Sequence, residues 1–397
     1  MNPVSIVTIK SKIPLYKGDD AAASIELIEL EEVGFELVAN KSLYKVGDSA
    51  IYIQPDYCLS DIEIFESFLR PGGQENKSML GKVNNLPRRI RAKKFTLSKE
   101  PNGDPVYSNG ILLPYNEVQS YLGLNKFGHS LPMNPNTLTE DLGITKYEEP
   151  EPGSQGIKNG QTAGTFPKGL YKTDEDNINN NWNRIEKELG YPITLVGSEK
   201  IDGSSITIGV TPQKPNGFIC SRNLEKRLVE TKVTGRRKKT LLETIMFWKE
   251  PDLNIYSQVP SVDDFVKMGL PYLNKIKQTG YPNLILRGEM NGGRSKGSGN
   301  KNNPANKEPM NIKFFGTDYM KDGISVKDTY NEFSINMGLL EFPKVKTVFK
   351  KKFNSRKEIE EECNKYFKEN KIEGIVIRSE DSKFSVKFMN LEYDSKK

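Results

Sequence analysis

Over roughly the first 147 residues, apolar and polar positions alternate in short runs separated by Gly, Pro and Asp. Alternation puts every second side chain on one face, so residues 24–30, 35–39, 49–54, 89–95 and 110–115 each read as a strand. Lys45-Val46-Gly47-Asp48 forms a turn feeding one of them. Short strands at this spacing fit a small β-barrel of the OB type with insertions. Between Glu148 and Gly164 large apolar residues almost vanish in favour of Glu, Pro, Gly, Gln and Asn, the composition of a linker. Beyond it the pattern turns mixed. A helix-like stretch covers 174–189, Ser261 opens an amphipathic run to Lys277, and Ser355 stands three residues before Glu358 as a helix cap. Strands at 193–196, 206–210 and 374–378 lie between these helices. The expectation is an α+β chain with a barrel domain at 1–147, a linker at 148–164 and a second domain at 165–397, a division that 397 residues accommodate.

Composition narrows the chemistry. With 36% hydrophobic and 28% charged residues the chain is globular rather than disordered or fibrous. No apolar run reaches the length of a membrane span, and the first residues lack the layout of a signal peptide. Three scattered cysteines, Cys58, Cys220 and Cys363, without a Cys-x-x-Cys pair, predict buried free thiols in a reducing compartment such as the cytoplasm. His129 is the only histidine, which argues against a zinc site and against Ser-His-Asp chemistry. Net charge is +6, and from Arg222 to Lys239 eight Lys or Arg face two Glu. That run is either a surface that follows a phosphate backbone or a solvated helix face. Arg88, Arg89, Arg91, Lys93 and Lys94 give the first domain a second basic group, and barrels of this kind bind nucleic acid on such a face.

One constellation goes further. The strand at 193–196 leads into Gly197-Ser-Glu-Lys-Ile-Asp-Gly-Ser-Ser205, which projects Lys200 from a strand–turn–strand junction. Lys-x-Asp-Gly alone arises by chance about once in ten chains of this length, and each residue singly has a bland account: a solvated lysine, core phenylalanines, turn glycines. Downstream, however, follow Ser221-Arg-Asn223, Arg287-Gly-Glu-Met-Asn-Gly-Gly293, Ile312-Lys-Phe-Phe-Gly-Thr-Asp318, Glu373-Gly-Ile-Val-Ile-Arg378 and Ser385-Val-Lys-Phe-Met-Asn390. In this order the series resembles the motifs of the covalent nucleotidyltransferases: DNA ligases, RNA ligases and mRNA capping enzymes. The resemblance implies that Lys200 carries an adenylate from ATP, that Lys387 contacts the α-phosphate, and that Asp202 and Glu373 hold water on Mg²⁺ or Mn²⁺. It further implies that Glu289 binds a ribose hydroxyl or shares in metal binding, that Gly203 lies against the nucleotide, that Phe315 stacks on adenine, and that Arg222 meets the nucleotide or a 5′-phosphate end. Arg378 and Lys313 are outer candidates. The chemistry asks for such residues. A lysine is neutral, and so nucleophilic, about one time in a thousand at neutral pH, and the site must supply about 4 kcal/mol to change that. Lys387 together with a divalent metal is the expected source, and the same charge would stabilise the phosphoryl oxygens in the transition state.

Domain order selects the branch. DNA ligases and capping enzymes carry an OB domain after the last motif, whereas here ten residues follow Lys387 and the extra module comes first. The 45–53 turn and strand, the basic 89–94 strand and the approach Phe166-Pro167 through Lys172-Thr-Asp-Glu175 look like those of the Naegleria-type RNA ligases with an N-terminal OB domain. An ATP-dependent RNA ligase is thus expected, working as a monomer on nicked or broken RNA in RNA repair; the competing expectations are a DNA ligase of unusual domain order and a non-catalytic nucleic-acid-binding relative. Two departures stand out. Asn177 occupies the place of a basic residue that meets the leaving pyrophosphate, leaving Lys172 or Arg184 as substitutes, and Ser385 replaces the first of two lysines in the last motif.

Overall fold

The computed structural model describes residues 2–127, 133–147, 162–238, 252–293 and 303–394, so His129, Lys239 and most of the expected linker lie outside the described residues. The architecture is mixed α+β, with antiparallel sheets flanked by helices. Among the described residues no helix is long and apolar enough to cross a membrane.

The N-terminal half is organised by a strand that sequence alternation does not reveal. Val4–Lys17 pairs with Ser49–Ile53 through its first half and with Asp20–Leu30 through its second. Its register shifts between Ile9 and Ser11 and again between Pro14 and Tyr16, and such bulges break the two-residue period while letting one strand serve two neighbours. The expected strand at 89–95 is two strands instead. Leu86–Arg89 and Lys93–Ser98 belong to different sheets, and Ile90 between them is buried in the core with Val4, Ile51 and Phe65. Among the described residues the hydrogen-bonded path through this sheet has no closing strand pair. A helix, Tyr115–Phe127, follows the strand Ile111–Pro114 and adds Val118 and Leu122 to the same core.

Two sheets form the remainder. One orders Thr162–Thr165, Leu224–Lys226, Lys214–Cys220, Ser204–Thr211, Leu284–Asn291, Asn311–Lys321 and Ile324–Lys327, so residues 162–164 join a sheet rather than the expected linker. The helix Asp264–Gln278 covers it, burying Val266, Leu273 and Ile276; its cap is Asp263, which accepts from Phe265 N, while Ser261 bonds Glu230 instead. The other sheet orders Asp176–Asn177, Ser385–Met389, Gly374–Ser379, Ile193–Lys200 and Thr347–Phe353, and is covered by the helix Arg356–Glu369 with the expected Ser355 cap. All three cysteines are free and buried.

The helix expected over 174–189 is only partly present. Asp176–Asn177 pairs as a strand with Ser385–Met389, the Asn177 side chain caps a short 3₁₀ turn at Ile178–Asn180, and helical backbone resumes at Trp182–Arg184. Asparagine side chains compete for backbone hydrogen bonds and favour caps and turns over helix interiors, and Asn177, Asn179, Asn180 and Asn181 crowd this segment. The broken segment joins the two halves of the chain. Gly34 N donates to Asn179 O at 2.8 Å, Asn180 Nδ2 to Gln54 Oε1 at 2.9 Å, and Trp182 is buried against Gly34. A Cβ on Gly34 would lie 2.5 Å from Trp182 Cδ1. Gly34→Ala is therefore expected to force the indole aside and cost about 1–3 kcal/mol, measured as a lowered midpoint in urea unfolding.

Candidate active site

Lys200 is the last residue of the strand Ile193–Lys200 and pairs with Gly374, which places Glu373 beside it. The ammonium donates to Glu373 Oε2 at 2.5 Å, with the two side chains 27% and 17% exposed. Four residues later Ser204 begins the next strand in the other sheet, pairing with Met290, while Ser205 pairs with Glu289. The turn between them crosses from one sheet to the other and must pass close to the Glu289 strand. A Cβ on Gly203 would lie 2.4 Å from Met290 O and 3.1 Å from Glu289 Cγ, so this position admits only glycine. Asp202, on the same turn, accepts from Tyr393 Oη at 2.9 Å, and its backbone carbonyl accepts from Asn303 Nδ2 at 2.8 Å.

The electrostatics around the amine are set by its carboxylate neighbours. Burial works to lower the Lys200 pKa, but Glu373, Glu289 and Asp202 outweigh it and hold the amine above its ordinary value. The cation Lys387, expected to depress it, is paired elsewhere: its Nζ is 4.0 Å from Asp174 Oδ1. Around Lys200 there are thus three carboxylates to one ammonium. Burial first, and then Glu373 and Asp202, push Glu289 up to about 8 against the pull of Lys200. Such an excess of negative charge fits a divalent cation. Among the described residues no three acidic, His or Cys side chains are grouped closely enough to ligate one ion directly, so Asp202, Glu289 and Glu373 suit an ion that keeps its waters, as Mg²⁺ does.

The remaining motif residues divide into a site and a scaffold. Phe314 is fully buried and packs on Tyr272 and Phe342, while Phe315 is the extra residue where the register shifts between Arg287 and Gly288. This bulge turns Phe315 toward a small cavity that it shares with Arg378, Glu175 and Lys327. Arg378 is not a surface ion pair. Its guanidinium lies 5.7 Å from the Phe315 ring, donates to Ser198 Oγ at 3.2 Å and reaches Glu175 at 3.4 Å with only 13% of the side chain exposed. Arg222 and Lys387 converge on Asp174. Lys313 stands across from Glu289 on the neighbouring strand. Lys172 donates to Asn223 Oδ1 at 2.5 Å, beside Arg222, whereas Arg184 pairs with Glu188 and stacks on Phe384. Within the basic run Lys226 is a core ion pair, 3.3 Å from Asp263, and the run lies on strands rather than a helix.

Asp174, Asp56 and Tyr393 also reach the site, although none carries a signal in the motif series beyond the Lys172-Thr-Asp-Glu175 segment. Asp56 belongs to the N-terminal half. It is held below the usual carboxylate range, against its burial, by Arg89, Lys387 and Lys200.

Lys200 stands where the chain crosses between two sheets, with Glu373, Glu289 and Asp202 around it, the setting that the resemblance to covalent nucleotidyltransferases implies. Residues 193–389 match the family described as RNA ligase. The fold extends the likeness to nearly the whole chain. It is similar to a mutant of Naegleria gruberi RNA ligase with AMP and Mn (19% identity, TM-score 0.68, covering 99% of this chain and 98% of that one). It is similar also to a mutant of that ligase with ATP and Mn (20%, 0.67, 99% and 98%) and to the ligase with PPi (21%, 0.63, 99% and 98%). No curated protein sequence matches the chain.

Arg287, though inside a motif, is scaffold. It is 1% exposed, donates to Asp318 Oδ2 at 2.6 Å and Thr207 Oγ1 at 3.2 Å, and lies over the Tyr171 ring. Arg287→Met leaves the Asp318 carboxylate buried without its cation, and a loss of about 3–5 kcal/mol is expected in equilibrium unfolding.

Proposed function

We propose that the chain is an ATP-dependent RNA ligase that joins 3′-hydroxyl and 5′-phosphate RNA ends through a lysyl-AMP intermediate and an adenylated 5′ end. The observation that carries this reading is the Lys200–Glu373 pair at 2.5 Å inside the carboxylate-lined cleft. The match of residues 193–389 to the RNA ligase family and the likeness to a ligase seen with ATP, AMP, PPi and Mn support it.

In the first step the neutral Lys200 Nζ attacks the α-phosphorus of ATP, a P–N bond forms, and pyrophosphate departs. Glu373, already accepting from Nζ, is the nearest group to take the released proton. In the second, an oxygen of the RNA 5′-phosphate attacks the same phosphorus; the P–N bond breaks and Lys200 leaves as the amine. In the third, the 3′-hydroxyl attacks the activated 5′-phosphate and AMP leaves. Phe315 stacks on adenine, Glu289 holds a ribose hydroxyl, Lys387 contacts the α-phosphate and Arg222 the nucleotide or the 5′-phosphate end. Asp202, Glu289 and Glu373 would hold Mg²⁺ or Mn²⁺ through its waters, whose charge supplies neutralisation for the phosphates and for the carboxylates that keep Lys200 protonated.

Residues 162–397 serve as the adenylyltransferase domain, the strand Thr162–Thr165 lying in its sheet, and residues 1–147 as an OB-type nucleic-acid-binding domain. The basic residues Arg88, Arg91, Lys93 and Lys94 are its candidates for gripping an RNA backbone, Arg89 being engaged with Asp56 at 2.7 Å and stacked on Tyr147.

Lys200→Ala is expected to abolish label transfer from α-labelled ATP to protein; full labelling of that variant would refute the assignment. Gly203→Ala displaces the turn that carries Asp202 and is expected to slow lysyl-AMP formation about 100-fold while the thermal unfolding midpoint stays within a few degrees. Sealing measured on nicked duplexes with ribose or deoxyribose at either side of the break should require ribose on the 3′-hydroxyl side; equal sealing of all-DNA nicks would favour a DNA ligase.

A further inference from the structure

Asp174 stands just ahead of the short strand Asp176–Asn177, which runs parallel to Ser385–Met389 with Asn177 opposite Lys387. Three cations from three separate parts of the chain meet at its carboxylate. Lys387 approaches Oδ1 at 4.0 Å, Arg222 donates to Oδ2 at 3.3 Å, and Lys146 donates to the same oxygen. Lys146 comes from the N-terminal half, where Thr145–Lys146 pairs with Tyr57–Cys58. The cluster is open to solvent, with Lys146 46%, Arg222 43%, Asp174 29% and Lys387 21% exposed.

Stability does not account for this arrangement. A half-exposed ion pair contributes about 0–1 kcal/mol, and a third cation on one carboxylate adds repulsion from the other two, leaving a net charge of +2 among the four side chains. A phosphate group fits better: it carries up to two negative charges and several acceptor oxygens, enough for three donors at once. The basic residue absent at Asn177 adds weight. The Asn177 side chain is engaged as a cap on Asn179 N at 3.0 Å, and Lys146 brings positive charge to the neighbouring space from another direction.

We infer that Lys146, Arg222 and Lys387 form a phosphate-binding cage that Asp174 fills as an internal anion until a phosphate displaces it, with Lys146 as the contribution of the N-terminal half to the site. The inference rests on the ligase reading for the identity of the phosphate, which is either the β- and γ-phosphates of ATP or the 5′-phosphate of the RNA end. The two sources share one chemistry and separate by reaction step.

The test is titration of the full chain with inorganic pyrophosphate, followed by calorimetry. Lys146→Gln is expected to weaken binding about tenfold or more, Lys146→Arg to restore most of it, and Asp174→Asn, which removes the competing anion, to tighten it. A purely structural role would not move the two substitutions in opposite directions. Affinity of Lys146→Gln within twofold of the parent, or weaker binding by Asp174→Asn, overturns the cage. Slower lysyl-AMP formation from ATP in Lys146→Gln assigns the cage to the triphosphate, and slower AMP transfer to a 5′-phosphorylated RNA assigns it to the RNA end; loss at neither step overturns it. A parent protein that takes no AMP from ATP would instead strike the ligase reading, while the pyrophosphate titration still decides the cage.

Discussion

The ion pair between Lys200 and Glu373 sets the terms for the rest of the site. Burial alone would help to free the amine of its proton, yet three carboxylates reverse that and keep it charged. The same carboxylates are needed because a nucleoside triphosphate arrives with a divalent cation. Attraction of the cation and suppression of the nucleophile are therefore one electrostatic fact. Under the proposed function, a divalent cation beside Glu373 and Glu289 would weaken their hold on the ammonium and leave the amine free to react. Lys387 lies instead against Asp174, 4.0 Å from its Oδ1, and helps to hold Asp56 below the usual carboxylate range.

The fold meets this demand by register. Pairing of Lys200 with Gly374 brings the nucleophile to Glu373, and pairing of Ser205 with Glu289 brings in the third carboxylate from the other sheet. The chain crosses between the sheets in residues 201–203, which is why Gly203 lies against the Met290 carbonyl. A slip of one residue in either ladder would turn the relevant side chain to the opposite face. The bulge at Phe315 uses the same rule locally, since one added residue lets Phe314 stay in the core while its neighbour faces the cleft.

Sequence patterns reveal the parts of this that are local. The Ser355 cap is local and legible from spacing alone, whereas Lys200, Asp202, Glu373 and Lys387 stand out through the ordered motif series and its resemblance to a known family. Val4–Lys17 escapes notice because its two register shifts break alternation, and the helix expected over 174–189 fails because its asparagines take turn geometry once Trp182 packs against Gly34. Lys226 belongs to a basic run by composition, but an ion pair with Asp263 and the Phe265 ring takes it out of reach of any ligand. The meeting of Lys146 with Asp174 joins positions 28 residues apart, one on the strand Thr145–Lys146 and the other in the segment just ahead of Asp176–Asn177. No periodicity encodes such a contact.

Both departures from the family pattern resolve on one principle: charge at a site depends on what reaches it in space. Ser385 stands where a lysine is common, and it donates to Glu175 at 3.2 Å, a carboxylate already paired with Arg378. The further cation near Glu175 comes from the opposite sheet. Lys327 lies over the Tyr171 ring at 5.0 Å beside the same cavity, its pKa lowered by burial although Glu175 pulls it up. A lysine at 385 would crowd a third cation against Arg378 and Lys327, and like charges at that separation cost free energy in a partly desolvated cleft. The neutral serine thus stands where Arg378 and Lys327 already bring positive charge to Glu175, just as the neutral Asn177 pairs with the strand position of Lys387, whose ammonium shares Asp174 with Lys146.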